Sequence, residues 1–464
     1  MNPWCNELIC IICLSIATTS LMTSYDTQSF IVESILHSVH MREPTRIDIH
    51  AGYYGPAVLY AAYTTANLFA PWICYRIGSK WTLFVGSLMF PAYQAGFFFL
   101  HSFYYYATQA LMGIGFAMYY AGQGLYMSEH STKSTISRNS ALVSAIGNCS
   151  MLNGGIIMTL IFYLRRKSES LIDVVKVVDG PSYRDFSNKE IYVIYGVLLV
   201  FSATSNIIFA SLPTKRISDS EQFENVDKAT FRTQLSNLLD CAKEPRLVLL
   251  AAFFAFYGFH VSYFLGAYPT TFAFTKILST NVYLPAYYSF MIGVGSVIAG
   301  GYIALFNTKF SNFGLIPTMA TEVVLSIVMY LLTFATTANL ATVQTTDDTS
   351  TWITPSVATC CILGLLNGMI DCCSCTMRAL ICTIAIPRKR LQAYSLAKLY
   401  QSAASCAAYF LSPQLTVQAW IFVLAGIQLF SATGFVLVSK QILRDEVQNK
   451  PQPKHAINKI KPSV

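Results

Sequence analysis

The chain has 464 residues, of which 54% are hydrophobic and only 12% charged, with a formal net charge of +8 and a mean hydropathy of +0.47. Soluble chains carry about 25% charged residues, so a water-soluble fold is excluded. No basic-aromatic stripe accompanies the positive balance, which argues against a nucleic-acid partner and leaves the lipid bilayer as the partner the composition implies.

Long stretches lack Asp, Glu, Lys and Arg altogether: His50–Tyr75, Trp81–Ser128, Asn139–Leu164, Ile191–Thr214, Leu247–Thr275, Ile277–Thr308 and Leu399–Ser439. A charge at the bilayer centre costs several kcal/mol, and about 20 apolar residues cross the hydrocarbon core as a helix. In chain order the gaps predict twelve transmembrane helices. The first six fall at 8–33, 52–75, 81–101, 104–127, 140–164 and 190–212. The second six fall at 247–272, 283–306, 313–337, 356–384, 391–412 and 416–439. Met1–Glu7 lacks the basic n-region of a secretory signal, so the first apolar stretch reads as a spanning helix that also anchors the chain. Between the halves lies Pro213–Arg246, where Val226, Phe231, Leu235, Leu238 and Leu239 at near-helical spacing predict a helix along the membrane surface.

This reads as an all-α integral membrane protein: residues 1–212 as one six-helix bundle, 213–246 as a central loop, 247–439 as a second six-helix bundle, and 440–464 as a basic tail. With both termini inside, the inner segments carry roughly twice as many Lys and Arg as the outer ones, which is the positive-inside pattern. Both termini are therefore expected in the cytoplasm. Six spans, a basic cytoplasmic loop and six more spans is the layout of the major facilitator superfamily, whose halves are repeats around a central cavity. Leu111-Met-Gly113-Ile-Gly115 in the fourth span and Ile362-Leu-Gly364-Leu-Leu-Asn367-Gly368 in the tenth are a faint echo of that repeat.

Several segments are more particular. The second span contains Gly52-Tyr53, Leu59-Tyr60, Asn67-Leu68 and Ala70-Pro71, ending at Gly78-Ser79-Lys80. The fourth holds Gly113-Ile-Gly115-Phe-Ala117 and Gly122-Gln123-Gly124-Leu-Tyr126. Tyr257-Gly258-Phe-His260 and Phe264-Leu-Gly266-Ala-Tyr268-Pro-Thr270 lie in the seventh, Gly293-Val-Gly295-Ser296 in the eighth. Gly368-Met-Ile-Asp371 follows in the tenth, and Ala393-Tyr-Ser-Leu-Ala-Lys398-Leu-Tyr-Gln401-Ser402 in the eleventh. In this order they resemble the uncoordinated-ninety-three family, an atypical branch of the major facilitator superfamily, from the first span to the twelfth.

That resemblance implies a non-enzymatic regulator or trafficking partner of another membrane protein, such as a potassium channel or receptor, in the plasma or endolysosomal membrane. Its alternative is a secondary transporter of a small solute by alternating access, with proton coupling. The sequence departs from the family at Ser296 and His260, where acids are expected, and at Cys375-Thr376-Met377, where an Asn-Thr-Gln run is expected. The inner turn Arg76-Ile-Gly78-Ser79-Lys80 also lacks the charge network of transporters. These changes rank the regulatory reading first.

Ionisable residues inside spans are the candidate central-cavity or coupling residues: Asp26, His260, Asp371, Arg378 and Lys398. Asp371 and Arg378 are seven apart on one helix face, and Lys398 is expected at similar depth. They form either a substrate-anion or coupling site, or an ion pair fixing the tenth helix against the eleventh with both cations reaching towards the cytoplasm. Asp26 is placed to face His260 across the cavity for proton coupling, or to sit hydrated at the outer interface. Glu322 is expected at the inner interface.

Gly113, Gly115, Gln123, Gly124, Gly258, Gly368 and Gln401 read as motif and packing positions, since small residues let membrane helices approach closely. Cys372, Cys373 and Cys375 point around the helix cylinder rather than at one centre, so neither a metal nor another cofactor is expected. No nucleophile–base pair or phosphate loop appears, which argues against an enzyme.

Overall fold

A computed structural model describes residues 3–132, 135–168, 185–214, 231–310, 314–348, 350, 352–386 and 389–448. Val226 of the expected surface helix, the outer loop at 169–184 and the tail beyond 448 lie outside the described residues.

The first span is α1 (Pro3–Ser29), continued outward by α2 (Val32–Arg42). The second is shared by α3 (Ala51–Ala66) and α4 (Ala70–Ile77); Pro71 stands in the first turn of α4, where no helical N–H is lost. Then come α5 (Ser79–Ala95), α6 (Ser102–Glu129), α7 (Ile136–Gly147), α8 (Cys149–Ser168) and α9 (Asn188–Ser211). A reciprocal capping box between Ser187 and Glu190 opens α9.

In the later half, α10 (Phe231–Ala242) precedes α11 (Pro245–Ser262), which passes through a π-helical turn, Tyr263–Ala267, into α12 (Tyr268–Phe274). After the short α13 (Lys276–Ser279) follow α14 (Leu284–Lys309), α15 (Leu315–Thr336), α16 (Val357–Ala385), α17 (Arg390–Leu411) and α18 (Val417–Gln448). The expected surface helix is α10, which buries Cys241 and exposes Leu239.

Among the described residues, nine helices are long and apolar enough to cross a membrane. The segments expected as spans two, four and eleven are helical as well, in α3 with α4, in α6 and in α17, but fall outside that group of nine. They are rich in Tyr, Gly, Gln and Ser, and α3 packs between α6 and α17. Interior contacts rather than lipid select such residues.

Helices α5 with α6, α3 with α6, α11 with α17, and α14 with α16 form the main packed pairs. The early and late helices meet where α3 packs on α17 and α8 on α14. There Thr64 donates to Ser402 Oγ at 2.8 Å and Ser289 donates to the Met151 carbonyl at 2.9 Å. At the expected outer end, Tyr53 donates to the Thr342 carbonyl at 2.8 Å, and the His37 ring meets Phe274 edge-on at 4.8 Å.

His37 lies on α2, beyond the first span, and is a pH-dependent element of this end. Burial pushes its imidazole down from 6.5 to about 4, with His40 and His50 adding to the effect. The neutral ring is favoured on folding. Its contribution to stability is therefore complete above pH 6.5 and is lost as pH falls through the window from 6.5 to about 4. The melting temperature of wild-type protein should drop over that window, and His37→Gln should flatten the drop. Identical slopes for the two proteins would refute this.

Candidate functional site

Asp371, Arg378 and Lys398 come together in the interior, on α16 and α17, but not as an ion pair. Among the described residues neither cation forms a salt bridge with Asp371. Instead Tyr257 of α11 donates its hydroxyl to Asp371 Oδ1 at 3.0 Å. The Arg378 guanidinium lies 4.7 Å from the centre of the same tyrosine ring. Tyr257 thus bridges acid and cation through its hydroxyl and its π face.

The expected direct pairing gives way for a geometric reason. The Arg378 side chain turns towards α17, where Nη1 donates to Gln401 Oε1, while Nη2 donates to Cys375 Sγ on its own helix at 3.6 Å. Tyr394 stands 6.0 Å from the same guanidinium, while Nε has no partner. Lys398 Nζ sits 3.9 Å from the centre of the Tyr120 ring on α6. Both cations are buried, so they do not reach out to the cytoplasm as the ion-pair reading expected. Each cation–π contact contributes about 0.5–2 kcal/mol, the more so when desolvated.

The walls continue in aromatic residues from both halves. Tyr63 stacks on Tyr120 at 6.1 Å and Tyr60 on Tyr409 at 5.7 Å. Gln123 donates to Tyr119 Oη at 2.8 Å and to Thr18 Oγ1 at 3.4 Å, tying α6 to α1. Tyr394, nearer the start of α17, is partly exposed, whereas Arg378 and Lys398 are buried.

Asp26 and His260 are not brought together. Asp26 is buried and accepts a hydrogen bond from Ser150 Oγ of α8 at 2.7 Å. The His260 ring is wholly buried between Phe256 and Phe264, with ring centroids 5.9 and 5.2 Å away, and neither of its nitrogens has a partner. This face of α11 packs into the later bundle rather than towards α1.

Glu322 also departs from expectation. On a helix expected to be peripheral it is fully buried within the protein, with Oε1 accepting from Ser374 Oγ at 2.9 Å.

The glycines divide by what they touch. A Cβ on Gly113 would stand 2.1 Å from the Leu59 carbonyl oxygen, on Gly115 2.6 Å from that of Gly86, on Gly258 2.3 Å from that of Gln401, and on Gly368 2.0 Å from that of Ile292. These four are backbone-contact positions. Gly124 has nothing within 4 Å and is not one.

The cysteines point apart: Cys373 Sγ meets Tyr302 Oη at 2.7 Å, Cys375 meets Arg378, and Cys382 meets the Ala393 carbonyl at 3.7 Å. Among the described residues no three His, Cys, Asp or Glu converge on a common centre.

Sequence reasoning missed Tyr257 and Tyr120. It sought carboxylates for the two cations, whereas the fold supplies aromatic faces. The available signal was the Tyr257-Gly258-Phe-His260 motif, a tyrosine one residue before a close-packed glycine.

Comparison with known proteins agrees with this architecture. The family model described as "Ion channel regulatory protein UNC-93" matches residues 43–436. An UNC93-like protein MFSD11 from Xenopus tropicalis is 23% identical over 467 residues, covering 97% of this chain and all of the relative. One from Xenopus laevis is 24% identical over 468 residues with the same coverage. Among solved structures, the peptide transporter POT in complex with sulfate superposes with a TM-score of 0.63 at 11% identity, covering 94% of this chain and 95% of that one. A bacterial homologue of the human lysosomal transporter Spinster, in an inward-facing and occupied conformation, gives 0.58 at 12% identity over 94% and 97%. At these identities the likeness shows the major facilitator fold alone.

Proposed function

The chain belongs to the UNC-93 family and has the major facilitator fold, and on that premise we propose that it binds a small solute at its centre and moves it by alternating access. The observation that supports this reading is the environment of Arg378 and Lys398. Two buried cations face aromatic rings and an amide rather than carboxylates, and Asp371 engages a tyrosine hydroxyl. Two buried cations that share one nearby carboxylate, with none in direct contact, are expensive in a low-dielectric interior, and an anionic group on a solute would relieve that cost. Packed helix pairs at the α3–α17 and α8–α14 seams supply surfaces across which two halves can rock.

The test is uptake. Folded protein in lipid vesicles, offered isotopically labelled small carboxylates and amino acids under a pH or sodium gradient, should accumulate at least one of them. Arg378→Gln or Lys398→Gln should abolish that uptake when flux is normalised to the amount of folded protein. Absence of accumulation by the wild type, or uptake indifferent to both substitutions, would sink the transport reading.

A second reading, regulation of a partner such as an ion channel, is favoured by the inner turn. Ser79 donates to Glu129 at 2.5 Å, both residues buried, so the turn after Gly78 is bonded back onto its own half. In that case lipid-facing residues such as Phe422 and Phe430, rather than Arg378 and Lys398, should control co-purification with a membrane partner after cross-linking.

We further propose that both termini and the central loop are cytoplasmic, as the basic residues indicate. Reporter tags at the N-terminus, near Gln222 and after Lys450 should all stay protected in intact cells. Surface labelling of any one of them would break the topology.

A further inference from the structure

Beside the central site, where Ser374 stands one helical turn from both Asp371 and Arg378 on α16, lies a carboxyl that the function above does not use. Glu322 enters from α15 about 10 Å above its inner end, given seven residues at 1.5 Å each, and is fully buried. Ser374 donates to Oε1 at 2.9 Å, while Oε2 has no partner.

No cation compensates the carboxyl: among the described residues Glu322 makes no salt bridge. The titratable groups around it are Tyr302 of α14, Cys373 of α16 and Tyr330 two turns further along α15. Tyr302 and Cys373 are bonded to each other at 2.7 Å. From α18, which also packs on α15, the buried polar groups among the described residues are the uncharged Gln428, Ser431 and Ser439.

The surroundings are polar but unsatisfied. Ser326 and Tyr330 repeat at four-residue spacing above Glu322, hence on the same helix face; their hydroxyls face each other, and among the described residues neither makes a hydrogen bond of full geometry. Native interiors leave few such groups bare, and buried water commonly completes them. A lone ionised carboxylate is not a stable occupant of such a place; a carboxyl that has taken up a proton is.

We propose that Glu322, bonded to Ser374, is a proton-binding site within the later bundle, separate from the central site, with Ser326 and Tyr330 forming a hydrated path above it. Ser374 lies between Asp371 and Arg378 on α16, so the charge state of Glu322 sets how α15 holds the helix that presents both central residues. The site stands whether or not the protein transports a solute.

Infrared difference spectra of full-length protein in lipid nanodiscs, titrated between alkaline and acid pH, test this directly. The carbonyl stretch of a protonated carboxyl should be present, should disappear in Glu322→Gln, and should shift in frequency in Ser374→Ala, which removes a hydrogen-bond donor. Ser374→Ala keeps the test decisive if Glu322→Gln does not fold. A spectrum in which neither variant alters any carboxyl band would overturn the proposal. So would a Glu322 band abolished by exchanging choline chloride for sodium chloride, because the occupant would then be a metal cation.

Discussion

Gly368→Val is expected to eliminate folded protein, and Gly368→Ala to cost on the order of 3 kcal/mol, the upper end for overpacking a core. Helices α14 and α16 cross in backbone contact. A Cβ on Gly368 would stand 2.0 Å from the Ile292 carbonyl oxygen, and one on Gly295 of the facing helix 2.1 Å from that of Leu365. The obstructing atoms are backbone, so no side chain can rotate away. The helices must separate, and separation forfeits the van der Waals packing that holds membrane helices together, since lipid supplies no hydrophobic drive for their association. Gly300→Ala, on the facing helix α14, is the control, with nothing within 4 Å of the new methyl. Size-exclusion profiles and melting temperatures in detergent read the result. If Gly368→Val remains as monodisperse and heat-stable as Gly300→Ala, the close approach is not what holds the pair.

The second large effect is at Arg378. Replacing it by alanine should cost about 3–5 kcal/mol, because it strips the guanidinium from Gln401 and the Tyr257 ring and takes one of two nearby positive charges from Asp371, which keeps its bond to Tyr257. The arrangement also predicts which partner matters to Asp371. A double-mutant cycle of Asp371→Asn with Tyr257→Phe should show a coupling of about 1.5–3 kcal/mol, the range for a hydrogen bond to a charged group. The cycle of Asp371→Asn with Lys398→Met should be additive to within about 0.5 kcal/mol, as for sites without direct contact. Strong coupling to Lys398 with none to Tyr257 would restore the direct ion pair that the sequence alone suggests.

The chain's class, its helical segments and its family could be read from the sequence because each rests on local information. A charge-free stretch such as Trp81–Ser128 reports the bilayer whatever the helix packs against. The glycine at 368 is legible as a close-packing residue for a similar reason: no other side chain lets two backbones touch. Local hydropathy already falters at α6 and α17, where the apolar signal is diluted by the tyrosines, glutamines and serines that interior contacts select.

What only the tertiary structure decided is who meets whom. Asp371 was expected to meet Arg378 on its own helix or Lys398 on the next, but bonds to Tyr257 on a third. Of the two readings open for Asp26, the one that faces it with His260 fails, since His260 lies between two phenylalanines, and Glu322, on a helix expected to be peripheral, is fully buried within the protein. Each of these depends on the rotation of a helix about its axis. A residue's neighbours four positions along are set by the 3.6-residue turn, but the face a helix turns to its partners is set by the shapes of all the helices packed around it.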